Sequence, residues 1–166
     1  MAATTLLVSL SVPTTNLSAQ SASSVKTVRI LPLCANGCLN AVEAVTFADY
    51  LGDKAGVAAD FDIIVKEVGE KDGLFFLNTE EDYRDRNNLT ISLRPETASK
   101  FLKFAAGRPN LTSVREHFLG KRMIIRGTAK RVRIDFIANG ERTGKYYYQV
   151  HVRLIDARQL LFITAG

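Results

Sequence analysis

The residues in this chain that could do chemistry are two cysteines, two histidines, a short acidic run and a basic, tyrosine-rich C-terminal third. Cys34 and Cys38 enclose Ala35-Asn36-Gly37, a C-x-x-x-C loop that can close a local disulfide in an oxidising compartment or carry two ordinary thiols in a reducing one. Two thiols make an incomplete zinc site, and neither His117 nor His151 stands at ligand spacing to them, so no metal is expected there. No nearby side chain would depress a thiol pKa, which argues against a nucleophilic cysteine.

Glu80, Glu81, Asp82 and Asp85 bring carboxylates together. Their spacing lacks the pattern and glycine of a calcium loop, and Arg84 and Arg86 compete for the same oxygens. Asp82 and Asp85 therefore read as turn formers that satisfy loop amides, with Tyr83 packing underneath. His117 lies in a helical turn and His151 in a strand, and nothing in the sequence places them together. A catalyst needs a positioned nucleophile, base or metal. We expect no catalytic residue and no cofactor.

Binding chemistry concentrates further on. The formal net charge is +5, yet residues 121–166 hold ten Lys or Arg against Asp135, Glu141 and Asp156, so the remainder is slightly acidic. Arg131, Arg133, Lys145, Tyr147 and Arg153 form the candidate ligand-binding set. Guanidinium groups beside tyrosine rings can neutralise phosphates and stack bases, which suits single-stranded nucleic acid. The competing reading is structural: the cations keep an exposed face soluble and blunt a sheet edge, while Tyr146 and Tyr148 fill the core.

These residues must be positioned by elements that the periodicity marks. Asn40 caps a helix running to Leu51, which Gly52 stops. Val57, Ala59, Phe61, Ile63 and Val65 alternate along a first strand, the segment Gly69 to Gly73 turns the chain, and Leu74–Leu77 and Leu89–Leu93 form two more strands. Pro95 opens a helix with Ala98, Phe101, Leu102 and Ala105 on one face, ended by Gly107, and Ser113-x-x-Glu116 reads as a capping box before Gly120. The fourth strand, from about Lys121 to Ile137, switches parity and so predicts a bulge near Lys130-Arg131. Asn139 to Gly144 forms a loop, and Tyr146, Tyr148, Val150 and Val152 alternate along the fifth strand.

Three strands, a helix and two strands is the plan of a five-stranded OB-type Greek-key barrel, an all-β fold with short helices. The run Phe76-Leu77-Asn78 through Asp82-Tyr83-Arg84-Asp85 to Asn87-Asn88-Leu89-Thr90, followed by Gly120-Lys121-x-Met123-x-Ile125, resembles a bacterial family of OB-fold domains with an "FLN…DYRD…NNFT" stretch before a "GK-hydrophobic" strand. Such domains occur in small exported proteins of unknown role and as modules attached to secreted nucleases. The similarity spans Phe47 to Ile163. It departs after Arg131, where the family has a short Arg-Gly-Arg-Pro-type hairpin and this chain has the longer segment Asp135 to Lys145.

Residues 1–25 carry no charge, are rich in Ser, Thr and Ala, and hold an apolar run from Leu6 to Val12. A secretory signal, an organellar transit peptide and a disordered tail each account for part of that pattern. No stretch approaches the apolar length of a membrane span. The expected organisation is a leader over 1–25, a linker with the cysteine loop and short helix over 26–54, and the barrel over 55–166. The expected function is a non-enzymatic binding module, exported to the periplasm or beyond or else organellar, that docks a protein partner on its basic fourth and fifth strands. The alternatives are a single-stranded nucleic-acid-binding accessory protein and a structural subunit of a larger assembly.

Overall fold

The computed structural model describes residues 34, 37–106 and 114–164. The expected leader, the Gly107 stop and the Ser113 cap lie outside the described residues. Cys34 and Cys38 are joined by a disulfide just ahead of helix α1, Ala41–Leu51. The Asn40 side chain accepts from the Glu43 amide at 3.0 Å while Glu43 accepts from the Asn40 amide at 2.8 Å, so two amides at the helix start are satisfied reciprocally. α1 buries Ala44, Val45 and Ala48 and packs on the sheet.

The chain is mostly β with a few short helices. β1 is Gly56–Ile64, β2 Glu67–Lys71, β3 Leu74–Asn78 and β4 Leu89–Leu93; α2 is Pro95–Ala106 and α3 Val114–Phe118; β5 is Arg122–Ala138, β6 Glu141–Leu154 and β7 Leu160–Ile163. They form one seven-stranded open sheet in the order β1-β5-β6-β4-β3-β2, with β7 added on β5. All neighbours are antiparallel except β4 and β6, which run parallel.

Seven strands replace the expected five for two physical reasons. The first expected strand ends about where expected, at Ile64, and after it the Val65 amide donates to Lys121 of the β5 side and the Lys66 amide to Asn78 of β3, which leads the chain into a further strand, β2. The segment read as a turn, Gly69 to Gly73, is mostly strand, and only Asp72 and Gly73 turn, both with positive φ. The second addition is β7, too short to announce itself by alternation.

The core holds Phe61, Leu77, Leu89, Ile91, Met123, Ile125, Val152 and Leu154 from the strands, closed by Phe101 and Leu102 of α2 and Phe118 of α3. Gly127 sits where β5 crosses this core: a Cβ there would lie 2.6 Å from a methyl of fully buried Val152. Gly127→Ala is therefore expected to cost about 1–2 kcal/mol of stability through overpacking. A chemical-denaturation midpoint equal to that of the unsubstituted chain would show that β5 yields at this point.

The bulge expected near Lys130-Arg131 is absent there. β5 keeps its register through those residues, and the irregularity lies where Asp135 pairs Tyr146 but Ile137 pairs Arg142. Thr143, Gly144 and Lys145 thus face the single residue Phe136, so β6 carries the bulge, with Gly144 at φ +79°. The parity switch has another cause. Met123 to Ala129 point alternate side chains into the core, but past Lys130 the strand leaves it, and the apolar residues Val132, Ile134 and Phe136 occupy the other face.

Candidate functional site

Beyond Lys130, β1 no longer flanks β5, and before Val150, β4 no longer flanks β6. Residues 131–149 therefore form a two-stranded ribbon closed by an Asn139-Gly140 turn in which both residues have positive φ. Its inner face continues the core side of the sheet but carries charge. The Arg131 guanidinium lies 4.1 Å over the Tyr148 ring and that of Arg133 4.1 Å over Tyr146, each reaching the diagonal tyrosine of the neighbouring strand. Arg131 Nε donates to Asp53 at 2.7 Å, and Arg133 Nε to Asp135 at 2.8 Å. Tyr146 and Tyr148 are exposed, because the core ends at Val150, so the expectation that they fill it is corrected.

The outer face is different. Between the β2–β3 turn and the ribbon lies a cleft of about 760 Å³, with Phe76, Thr90, Tyr147, Gln149 and His151 in its lining, Lys71 and Asp72 at the turn, Tyr83 and Arg84 from the 79–88 loop, and Ile134 and Phe136 from the ribbon. The Phe136 and Tyr147 rings meet at 5.4 Å, and Phe76 meets His151 edge-on at 6.4 Å. A polar chain crosses the cleft: His151 Nε2 donates to Gln149 Oε1 at 2.8 Å, and the Gln149 amide donates to the Tyr83 carbonyl at 3.0 Å and to the Tyr147 hydroxyl at 3.2 Å. Burial pushes His151 down to about 4, so the ring is neutral at pH 7, and burial raises Tyr147 above its ordinary value. His151 also borders a second cleft of about 740 Å³, whose lining includes Lys130 and Arg153. Neither cation is ion-paired among the described residues.

The five residues singled out from sequence are thus divided. Arg131 and Arg133 share the inner face, Tyr147 and Arg153 line the two outer clefts, and Lys145 is exposed in the β6 bulge. Alternation along β6 separates Tyr147 from Tyr146 and Tyr148. Most of the arginines on and around β5 are engaged internally, as in Arg126–Asp60, where the guanidinium holds the carboxyl below its usual range, and Arg115–Glu67, which does the same.

The acidic loop is built from within. Asp82 accepts from the Arg84 amide at 2.9 Å and Asp85 from the Asn87 amide at 2.7 Å, each two residues on, as turn formers do. Tyr83 is exposed and lies beneath Arg84, whose guanidinium is 5.1 Å from the ring centroid, so it does not pack under the loop as expected. Sequence reasoning passed over Asn88, which holds this loop. Its Oδ1 accepts from the Thr79 and Glu80 amides at 2.9 and 3.1 Å, and its Nδ2 donates to Asn78, Thr90 and the Tyr83 carbonyl at 3.1, 2.9 and 3.2 Å. The signal available was the Asn87-Asn88 pair ahead of a strand, a local hydrogen-bonding pattern.

Comparison of the chain with protein-family models, with curated proteins and with solved structures finds no match in any of the three.

Proposed function

We propose that this chain is a non-enzymatic binding module of the OB type, acting in an oxidising compartment, that takes an extended polypeptide segment across the outer face of β3, β4 and β6. The barrel reading is supported by connectivity: the two edge strands β1 and β2 are separated by two residues, so treating them as halves of one bent strand returns the path β1-β5-β6-β4-β3-β2 to its start. The Cys34–Cys38 bridge supports the compartment. The observation that carries the ligand reading is the cleft itself, an aromatic and amide-lined trough with Glu70, Asp72 and Asp135 among its residues. Side-chain amides and hydroxyls there can meet peptide groups, and rings can seat apolar side chains.

Peptides selected from a random displayed library against the full chain are expected to lose roughly tenfold or more in affinity when Phe76→Ala or Tyr147→Ala is introduced. Selection of nothing that depends on these two residues would sink the polypeptide reading. Lys130 and Arg153 beside His151 favour a second reading, single-stranded nucleic acid. It would replace the first if labelled oligonucleotides bind in a salt-dependent way that Lys130→Ala/Arg153→Ala abolishes.

A further inference from the structure

From Val132 to Ala138, β5 has a backbone edge that pairs with no other strand among the described residues, on a ribbon whose residues 136–146 are all exposed. A two-stranded ribbon of this kind is marginal by itself, and an open edge of this length is a template for another strand. Phe136 and Ile137 are exposed on it. The residues along the edge are self-complementary. If β5 meets a second β5 antiparallel about Ile134, Arg133 faces the copy's Asp135, Asp135 faces the copy's Arg133, Val132 faces Phe136, and Ile134 faces itself. From Val132 to Phe136, each pair then matches charge with opposite charge or apolar with apolar on its own face of the sheet, and beyond them Ile137 lies opposite the copy's Arg131.

We propose that this edge is a homodimer interface, in which two ribbons join across a two-fold axis at Ile134 into one four-stranded sheet. The bulge is carried on β6, which leaves β5 regular enough to offer an unbroken ladder. Asp135, already 2.8 Å from Arg133 Nε and 3.4 Å from Arg142 Nε within one chain, is held in place to accept from the partner copy as well. The edge borders the ligand cleft, which Ile134 and Phe136 also line, but the two readings are tested through different residues and either can fail without the other.

Charge exchange tests it. The full chain is expected to sediment as a dimer, and Arg133→Asp and Asp135→Arg, which set like charges against each other, as monomers. Mixing the two single variants is expected to restore a dimer, because each then supplies what the other needs. A monomeric unsubstituted chain, a dimer that survives both single variants, or a mixture that stays monomeric would each overturn the proposal. Should either charge variant fail to fold, Ile134→Cys on the axis provides a second reading: mild oxidation is expected to link two chains through that residue, and its failure to do so overturns the interface equally.

Discussion

Replacing Asn88 with alanine is expected to lower the stability of this protein by about 3 kcal/mol and to free the loop it holds. The side chain is 3% exposed, and it bonds Thr79 and Glu80 where the loop begins, Tyr83 within it, and Asn78 and Thr90 on the flanking strands. Removal leaves the Glu80 amide without its acceptor, and it takes one of two partners from the Thr79 amide, the Asn78 side-chain oxygen and the Tyr83 carbonyl, which keep Leu89, Thr90 and Gln149. The orphaned amide costs roughly 1–3 kcal/mol and each further lost hydrogen bond about 1 kcal/mol, offset in part because water can enter once the loop moves. Asn88→Asp is expected to do little better. It keeps the two amide bonds to Oδ1 but turns Nδ2 into an oxygen facing the Asn78 and Tyr83 oxygens. Urea unfolding measures the loss, and hydrogen exchange at Thr79 and Glu80 locates it. A change below about 1 kcal/mol with unchanged exchange would mean that the network is not what anchors residues 79–88. Because Tyr83 and Arg84 wall the cleft, ligand affinity is expected to fall with the loop.

Acidification through the weakly acid range is expected to destabilise the fold through one side chain. His151 titrates near 6.5 when exposed and at about 4 in the folded chain, because burial between Phe76 and the neighbouring strands disfavours the imidazolium. Below 6.5 the unfolded chain takes up a proton that the folded chain refuses. Stability is therefore full above pH 6.5 and declines as pH falls toward 4, by up to about 3 kcal/mol over that interval. Asp60 and Glu67, whose carboxyls are held low by Arg126 and Arg115, add their losses only as pH falls through the ordinary carboxylate range and below. The interval from 6.5 to about 4.5 thus reports on His151. Unfolding free energy measured across it should slope for the unsubstituted chain and flatten in His151→Phe. A slope that survives the substitution would place the proton uptake elsewhere. If His151 lies under a bound ligand, affinity should weaken over the same interval.

Much of this architecture was legible before any coordinates. Asn40 and Gly52 bounded α1 because capping and positive φ are local demands that few residues meet. Alternation announced β1, β4 and the inner half of β5, where one face is buried along its whole length and the pattern has nothing to interrupt it. Pattern failed where burial changes along a single strand. The parity switch in β5 looked like a bulge, yet it records the strand leaving the core, after which Val132 lines the second cleft and Ile134 and Phe136 the first. β2 and β7 were missed because Glu67–Lys71 is charged and Leu160–Ile163 is short, and both are held as strands by their neighbours' hydrogen bonds.

By itself, then, the sequence determined the helices and most of the strands, β2 and β7 excepted, the chemistry available to them, and the excess of cations in the last third. Those properties depend on neighbours a few residues apart. Tertiary structure decided how the candidate residues divide. Strand alternation sends Tyr147 and Arg153 to the outer clefts and Arg131 and Arg133 to the opposite face, where Asp53, 78 residues away in the chain, partners Arg131. Whether a cation is free or paired depends on carboxylates brought from distant strands. That proximity is a property of the sheet order and no local pattern encodes it.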